Sequence, residues 1–308
     1  MRILYMGTPD FAVGALKALY DAGHEICGVF TQPDRPKGRG GKVLFPPVKE
    51  MALELGLDVY QPVKVKDEEY VSIIRELSPE LIVVAAFGQI LSKEILDIPK
   101  YGCVNIHASL LPKHRGASPI QQAVIDGDSE SGITIMMMDE GLDTGDILIQ
   151  KKVSIDEKET GGSLFDKLAV CGSELITEAV EILSSGDYEL TPQGDDYSYA
   201  GIINKQRGSI DFSMDAESIE RLIRGLNPWP SAYTKLNGKT LKIWEADVIY
   251  EETCKPYGMI TDISQNGIIV TTGSNKLILR EIQPEGKKRM SVKDYLNGAR
   301  IEVGTMLG

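Results

Sequence analysis

The sequence predicts a doubly wound α/β domain followed by a smaller domain built as an antiparallel β-barrel. Three observations support this. Apolar runs alternate with helical segments over the first 185 residues or so, a polar glycine-containing segment follows, and Asn-Gly turns separate strand-like runs beyond it. A length of 308 residues also exceeds that of one typical domain.

The first part contains apolar runs that do not alternate cleanly between apolar and polar residues. Such runs indicate strands buried on both faces of a parallel sheet that helices cover. The sequence GGSLFDKLAVCGSELITEAVEILSSG predicts a long closing helix, with Ser163 as its N-cap and Asp166 near the capping-box position. The predicted strands lie in RILYMG, EICGVFT, LIVVAAFG, GCVNIHAS, GITIMMM and ILIQKKVSI.

The second part begins after Gly186 with a segment that has the composition of a linker. A short helix is expected from about Asp215 to Gly225, and the turns at Asn237-Gly238 and Asn266-Gly267 predict β-hairpins. We therefore place a catalytic domain at 1–189, a linker at 190–206 and a β-barrel at 207–308.

Composition limits the classes of function. A net charge of −12 disfavours bulk non-specific binding to nucleic acid, so a nucleic-acid partner would require local basic patches. The four cysteines are scattered and form no C-x-x-C pair, which predicts neither a zinc site nor a disulfide framework. Without an apolar run of roughly 18 residues or a signal peptide, we expect a cytoplasmic protein with no metal and no membrane attachment.

The stretch NIHASLLP is the first candidate for a reaction centre. Asn105 and His107 are two residues apart on a predicted strand, so their side chains point to the same side. They would lie at the carboxyl end of that strand, where open α/β sheets bind their ligands. The alternative is a core histidine hydrogen-bonded by its neighbour. Gly7 resembles a nucleotide-binding turn only weakly, because it is not part of G-x-G-x-x-G.

An acidic loop, MDEGLDTGDIL, follows the predicted strand GITIMMM. One of its carboxylates could orient His107, and Asn105 could donate to a developing oxyanion; the alternative is that they are solvated turn residues. No serine or cysteine lies in a nucleophile motif, so direct transfer without a covalent enzyme intermediate is favoured. The acidic candidates are Asp139, Glu140, Asp143 and Asp146.

NIHASLLPKHRGASP followed by GLDTGD resembles the folate-dependent formyltransferases. GTPDFA, VFTQPDRPKGRG, NPWPSAY and GKKRMSVKDYLNG resemble the branch that acts on methionyl-tRNA, and these motifs spread over nearly the whole chain. The resemblance implies a Rossmann-like formyltransferase domain joined to a C-terminal barrel of OB type. It also implies transfer of the formyl group of 10-formyltetrahydrofolate to initiator methionyl-tRNA, by a protein that we expect to be a monomer.

The resemblance also implies roles for particular residues. Asn105, His107 and Asp143 would be catalytic, although the division of His107 between general base and oxyanion stabiliser stays open. The residues implied to border the folate site are Phe87, Gly88, Ser109, Leu110, Leu111 and Pro112. The basic residues expected to contact tRNA are Arg35, Lys37, Arg39, Lys42, Arg207, Lys287, Lys288 and Arg289.

Three other functions fit parts of this pattern. A formyltransferase for a nucleotide sugar and a formyl-folate hydrolase would share the Asn, His and Asp. The basic loop TQPDRPKGRGGK argues against both, because neither substrate needs a polycationic wedge. A folate- or nucleotide-binding module without catalysis is the third alternative, and the intact trio argues against it.

Overall fold

The computed structural model describes residues 1–37, 42–253 and 256–308 of the protein. The β-strands are β1 Arg2–Gly7, β2 Glu25–Phe30, β3 Arg35–Lys37, β4 Lys42–Leu44, β5 Val59–Tyr60, β6 Leu81–Ala85, β7 Cys103–His107, β8 Arg115–Gly116, β9 Glu130–Met137, β10 Ile147–Ser154, β11 Tyr199–Ala200, β12 Ala232–Leu236, β13 Lys239–Ile249, β14 Ile260–Ser264, β15 Gly267–Thr271, β16 Lys276–Pro284 and β17 Met290–Ser291. The α-helices are α1 Val13–Asp21, α2 Pro47–Glu54, α3 Glu68–Leu77, α4 Lys93–Leu96, α5 Pro119–Asp126, α6 Gly161–Ser185, α7 Ala216–Gly225 and α8 Val292–Leu296.

The chain forms two compact units. The first comprises Met1–Pro119, Glu130–Ser154 and Phe165–Ala200, and the second comprises Ile120–Ser129, Ile155–Leu164 and Gly201–Gly308. The predicted fold class, a Rossmann-like α/β domain with a C-terminal antiparallel β domain, is confirmed. The boundaries that we placed at residues 189 and 207 stay a prediction.

The sheet of the first unit has the strand order β10-β9-β7-β6-β1-β2-β5. The strands from β7 to β5 run parallel, whereas β9 lies antiparallel to β7, and β10 lies antiparallel to β9. The expectation of a parallel sheet is thus confirmed from β7 to β5 and is wrong for β9 and β10. β9 is buried along most of its length, and a buried strand has the same apolar composition in either direction, so its sequence does not reveal its orientation. β10 is half-buried or exposed throughout, so the expectation that it is buried on both faces is wrong as well.

The core of this sheet explains its stability. Leu4 and Met6 of β1 and Ile82 and Val84 of β6 pack with Phe30 in one buried cluster. Each of these side chains is at most 5% exposed. Full burial of an aliphatic side chain contributes about 1.5–3 kcal/mol, so the parallel strands are fixed by contacts on the face that helices cover.

Helix α6 begins at a different cap from the predicted one. The Oγ1 of Thr160 accepts from the backbone N–H of Ser163 over 3.0 Å, and the Oγ of Ser163 accepts from the N–H of Thr160 over 2.9 Å. Thr160 is therefore the N-cap of a reciprocal capping box, and Ser163 is the residue at its N3 position. The helix starts at Gly161, three residues before the Leu164 start that a Ser163 cap would give.

The sheet of the second unit follows the order β12-β13-β16-β15-β14. Both predicted hairpins are present. Asn237-Gly238 joins β12 to β13, whereas the turn between β14 and β15 is Gln265-Asn266, one residue earlier than predicted, because Gly267 already pairs with Ser264. Met306 pairs with Met259, and Leu307 pairs with Leu236 at the end of β12. Residues 306 and 307 thus connect the two ends of the strand order, which gives the sheet the closed form of a barrel.

Helix α7 packs against this sheet. It begins after Asp215, whose carboxylate accepts from the backbone N–H of Ser218 over 2.7 Å, and this N-cap confirms the predicted helix.

Throughout the part of the chain that the structure describes, no helix combines the length and the apolar character that crossing a membrane requires.

Candidate active site

The carboxyl ends of β1, β6 and β7 meet at one edge of the parallel sheet. The strand order places β2 and β6 on opposite sides of β1, so this edge contains the switch point at which open α/β sheets bind ligands. Thr8 and Gln32 both donate side-chain hydrogen bonds to the carbonyl oxygen of Phe87, over 3.2 and 3.1 Å. The side chain of Phe87 is buried in the core. The carbonyl oxygen and the ring of Phe87 are therefore both occupied by contacts within the protein, and of the two predicted folate contacts Phe87 and Gly88 only Gly88 is exposed.

Asn105, His107 and Asp143 form one cluster at this edge. Nδ2 of Asn105 donates to Oδ1 of Asp143 over 3.3 Å, and Oδ2 of Asp143 lies 3.7 Å from Nδ1 of His107. The backbone N–H of Gly116 also donates to Oδ2, over 2.8 Å. Two residues of β7 and one residue of the β9–β10 loop thus bring an amide, an imidazole and a carboxylate together.

The geometry assigns the tautomer of His107. Its Nε2 lies 2.9 Å from the carbonyl oxygen of His114. Because a carbonyl can only accept, Nε2 carries the proton, and in the neutral ring Nδ1 has a free lone pair. Burial lowers the pKa of His107 below its usual value; the negative charge of Asp143 and the bond to His114 oppose this shift, and the charge of His114 adds to it. His107 is therefore neutral at pH 7, with its basic nitrogen beside Asp143.

The carboxylates of the acidic loop differ in their contacts. Oδ1 of Asp139 accepts from the N–H of Gly141 over 3.0 Å and from the hydroxyl of Thr144 over 2.7 Å, so this side chain shapes the turn. Glu140 is exposed. Asp143 is the carboxylate that reaches His107, as the family resemblance implies. Within residues 1–37, 42–253 and 256–308, no group of three or more His, Cys, Asp or Glu is arranged to hold a metal ion.

The loop after β7 is fixed by buried hydrogen bonds. The hydroxyl of Ser109 donates to the carbonyl of Lys113 over 2.6 Å, and Thr134 donates to the carbonyl of Ser109 over 2.7 Å. Thr134 also accepts from the N–H of Leu111 over 3.1 Å. Ser109 and Leu111 are buried. Of the predicted folate contacts in this loop, Leu110 and Pro112 keep part of their surface accessible.

The basic loop lies on a β-hairpin in the first unit. Arg35 is exposed at the start of β3, and the backbones of Lys37 and Lys42 lie opposite each other in the β3–β4 ladder. The prediction for Arg39 lies outside the described residues. Arg35, Lys37 and Lys42 thus lie on two paired strands, β3 and β4.

The basic residues of the second unit differ in their surroundings. The exposed ones are Arg207, Lys287, Lys288 and Arg289. Nε of Arg289 donates to Glu281 over 2.6 Å, and its guanidinium lies 5.1 Å from the ring centroid of Trp244. Since Glu281 neutralises part of its charge, Arg289 offers less to a polyanion than Lys287 and Lys288 do.

Sequence reasoning missed the groups that hold the cluster in place. The carbonyl of His114 and the N–H of Gly116 are backbone groups, and side-chain motifs do not report them. Gly116 has φ +108°, a conformation that favours glycine, so the glycine in KHRG is a signal that could have been used. Gln193, which donates to the carbonyls of Asp143 and Gly145, lies in the predicted linker, where no motif marks it.

Comparison with known proteins identifies the family. The family model for formyl transferase matches residues 1–180, and the model for the formyl transferase C-terminal domain matches residues 202–300. A methionyl-tRNA formyltransferase of Agathobacter rectalis is 51% identical over 306 residues, which is 99% of each chain. One of Clostridioides difficile is 50% identical over 100% of each chain. The chain belongs to the methionyl-tRNA formyltransferase family. It is an enzyme, and the sequence prediction on both points is confirmed.

Solved structures with low sequence identity share the formyltransferase fold. WlaRD, a sugar 3N-formyl transferase, has a TM-score of 0.68 at 21% identity, over 94% of this chain and 99% of its own. HypX from Aquifex aeolicus, solved in complex with tetrahydrofolic acid, has a TM-score of 0.62 at 16% identity, over 99% of this chain and 50% of its own. The architecture is therefore shared with a sugar formyltransferase and with HypX.

Proposed function

We propose that this formyltransferase passes the formyl group of 10-formyltetrahydrofolate to the amino group of methionine esterified to initiator tRNA. The observation that carries the proposal is the cluster of Asn105, His107 and Asp143 at the switch point of the sheet. The names of the relatives at about half identity support the acceptor. HypX, solved with tetrahydrofolic acid, supports a folate donor on this fold. A role in translation initiation would place the enzyme in the cytoplasm.

The geometry favours a general-base role for His107. The amine must lose a proton as its nitrogen bonds to the formyl carbon, and Nδ1 of the neutral ring can accept that proton directly or through a water. The imidazolium that forms is stabilised by Asp143 at 3.7 Å, while Nε2 stays bonded to His114. When the bond from the formyl carbon to the folate nitrogen breaks, the proton passes to that nitrogen.

Asn105 would stabilise the tetrahedral intermediate. Its amide has two N–H groups, and one of them donates to Asp143. The second can donate to the formyl oxygen as that oxygen becomes negative. Removing one such donor typically costs about 10²–10³ in turnover. In this arrangement Asp143 orients the amide as well as the imidazole, so one carboxylate positions both groups.

The tRNA would be held by basic residues against an acidic background. With a net charge of −12, the protein repels a polyanion unless cations are clustered. The β3–β4 hairpin carries Arg35, Lys37 and Lys42, and the exposed Lys287 and Lys288 form a second cluster. Phosphate contacts position a nucleic acid, whereas contacts with bases select it. We assign selection of the initiator to the hairpin and backbone binding to the second unit.

The experiment compares acceptors in one assay. Purified protein and 10-formyltetrahydrofolate are mixed with charged initiator tRNA, charged elongator methionyl-tRNA, free methionine or a nucleotide-linked amino sugar. We expect transfer to initiator methionyl-tRNA and little to the others. Preferred transfer to the amino sugar, or release of formate without transfer, would refute the proposed acceptor. Equal transfer to both tRNAs would refute the selective role of the hairpin.

A further inference from the structure

Residues 191–200, in the segment predicted to be a linker, are hydrogen-bonded to both loops of the candidate site. Thr191 and Ile147 exchange backbone hydrogen bonds of 2.8 and 2.9 Å beside the acidic loop. Further along, β11 pairs with β8, and the N–H of Arg115 donates to the carbonyl of Ser198 over 2.8 Å. One short stretch of chain therefore contacts the loop that carries Asp143 and the loop that follows β7.

Gln193 makes the side-chain contacts of this stretch. Its Nε2 donates to the carbonyl oxygens of Asp143 and Gly145, over 3.0 and 2.7 Å. Its Oε1 accepts from Nε of Arg115 over 2.9 Å. Arg115 is itself 6% exposed, and its guanidinium lies 4.6 Å from the ring centroid of Tyr197. The amide of Gln193 is therefore bonded at both ends, to the loop through its nitrogen and to a buried cation through its oxygen.

The β9–β10 loop has an unfavourable backbone conformation at Asp143, which the bonds from Gln193 can hold in place. Asp143 has φ +54°, in the left-handed region that residues other than glycine adopt at a cost. The residue in this conformation is also the one whose carboxylate lies beside His107 and Asn105. A small rotation of its backbone would displace both carboxylate oxygens. Two amide N–H bonds to neighbouring carbonyls oppose that rotation.

We infer that Gln193 is a positioning residue for the reaction: its amide, held by Arg115, fixes the backbone of Asp143 and so aims the carboxylate at His107 and Asn105. The inference rests on the proposed function for its kinetic test. Gln193 acts through Asp143 and not on the substrate. Its removal should therefore lower kcat and leave the KM values for both substrates nearly unchanged.

Substitution by glutamate separates positioning from filling space. In Gln193→Glu the new side chain would have the size of glutamine and could pair with Arg115, but it would place a carboxylate oxygen against two carbonyl oxygens. A positioning role through the N–H donors predicts that Gln193→Glu is at least as damaging as Gln193→Ala. A role in packing, or in neutralising Arg115, predicts that glutamate rescues activity.

The kinetic test uses Gln193→Ala, Gln193→Glu and Gln122→Ala. Gln122 is a matched control on α5, because its amide donates to Asp126 at the helix surface. We expect both Gln193 variants to lose about 10²-fold in kcat, the size of loss that a small misplacement causes, with KM values within about threefold of wild type. In an Asp143→Ala background the same changes should cost less than about threefold, because the two residues act as one unit.

A second measurement does not depend on activity. The chain has three histidines, so the ring resonances of His107 can be assigned in the ligand-free protein with a His107→Gln variant. Both Gln193 variants should shift the His107 ring resonances in the direction seen for Asp143→Ala, and Gln122→Ala should not. Unshifted His107 resonances, a rescue by Gln193→Glu, or full additivity with Asp143→Ala would each overturn the inference. A wild-type protein without transfer activity would refute the proposed function alone, and the resonances would still decide the role of Gln193.

Discussion

Replacing Asp143 by asparagine keeps the shape of the side chain and removes its charge. The variant tests the electrostatic part of the proposed mechanism, because the asparagine oxygen can still accept from the N–H of Gly116, which is bonded to the carboxylate over 2.8 Å. It loses the negative charge 3.7 Å from Nδ1 of His107 and also the second acceptor oxygen, which Nδ2 of Asn105 bonds over 3.3 Å. That charge is needed when the imidazole takes up the proton of the amine.

The size of the effect follows from the distance. Two unit charges 3.7 Å apart interact by about 4.5 kcal/mol at an effective dielectric constant of about 20, a value suited to protein sites. Since each 1.36 kcal/mol is about a factor of ten in rate, the loss corresponds to roughly 10³-fold in the chemical step. The free enzyme, in which His107 is neutral, loses much less of this energy, so the effect falls on the transition state.

Single-turnover formyl transfer with saturating enzyme measures this step. The matched control is Asp139→Asn, in the same loop, whose carboxylate bonds Gly141 and Thr144. We expect the control to stay within about threefold of wild type, because its charge does not face His107. A loss of less than tenfold for Asp143→Asn, with chemistry rate-limiting, would refute the charge argument. Equal losses in both variants would mean that the conformation of the loop matters and the charge does not.

Three further predictions concern other groups of the site. Asn105→Ala should lower turnover by about 10²–10³ with folate affinity nearly unchanged, and a variant that keeps half of wild-type turnover would exclude Asn105 as the oxyanion donor. Because burial depresses the pKa of His107, the folded protein is stabilised relative to the unfolded chain above the unfolded pKa of about 6.5. That contribution is lost as the pH falls through the lower folded pKa, so urea unfolding at stepped pH should show a smaller decrease for His107→Gln; equal decreases would contradict the assignment. Arg39→Ala should lower kcat/KM with initiator tRNA strongly and leave folate affinity intact, whereas Lys42→Ala should mainly reduce the salt dependence of tRNA binding; unchanged kcat/KM in Arg39→Ala would contradict the role of the loop.

Local signals in the sequence predicted those parts of the structure that depend on neighbouring residues. The helix after Asp215 has a capping side chain within three residues, and the turn at Asn237-Gly238 has φ values of +50° and +76°, which these two residue types tolerate. The same holds for Asn105 and His107, because the two-residue period of a strand fixes their common side. Asp143, 36 residues after His107, needed the family resemblance, since four carboxylates of one loop look alike in sequence.

Contacts between residues that are far apart in the sequence could not be predicted from local patterns. The carbonyl of His114 and the N–H of Gly116 belong to the backbone, which is the same in every residue, so their direction depends on the path of the loop. Gln193 reaches Asp143 across 50 residues of sequence. The orientation of β9 was missed for a related reason, because its neighbours and not its composition decide it.

The pairing of Leu307 with Leu236 has a consequence for how the protein is made. Seventy-one residues separate these partners. The seam that this pairing forms therefore cannot close until nearly the whole second unit has left the ribosome. Until then, the ends of β12 and β14 remain open edges, which can pair with strands of other chains. Contacts at such sequence distance also form slowly. The N–H of Gly308 donates to the carbonyl of Lys235 over 3.0 Å, so a tag fused beyond residue 308 would emerge directly beside this seam and should lower the yield of folded protein.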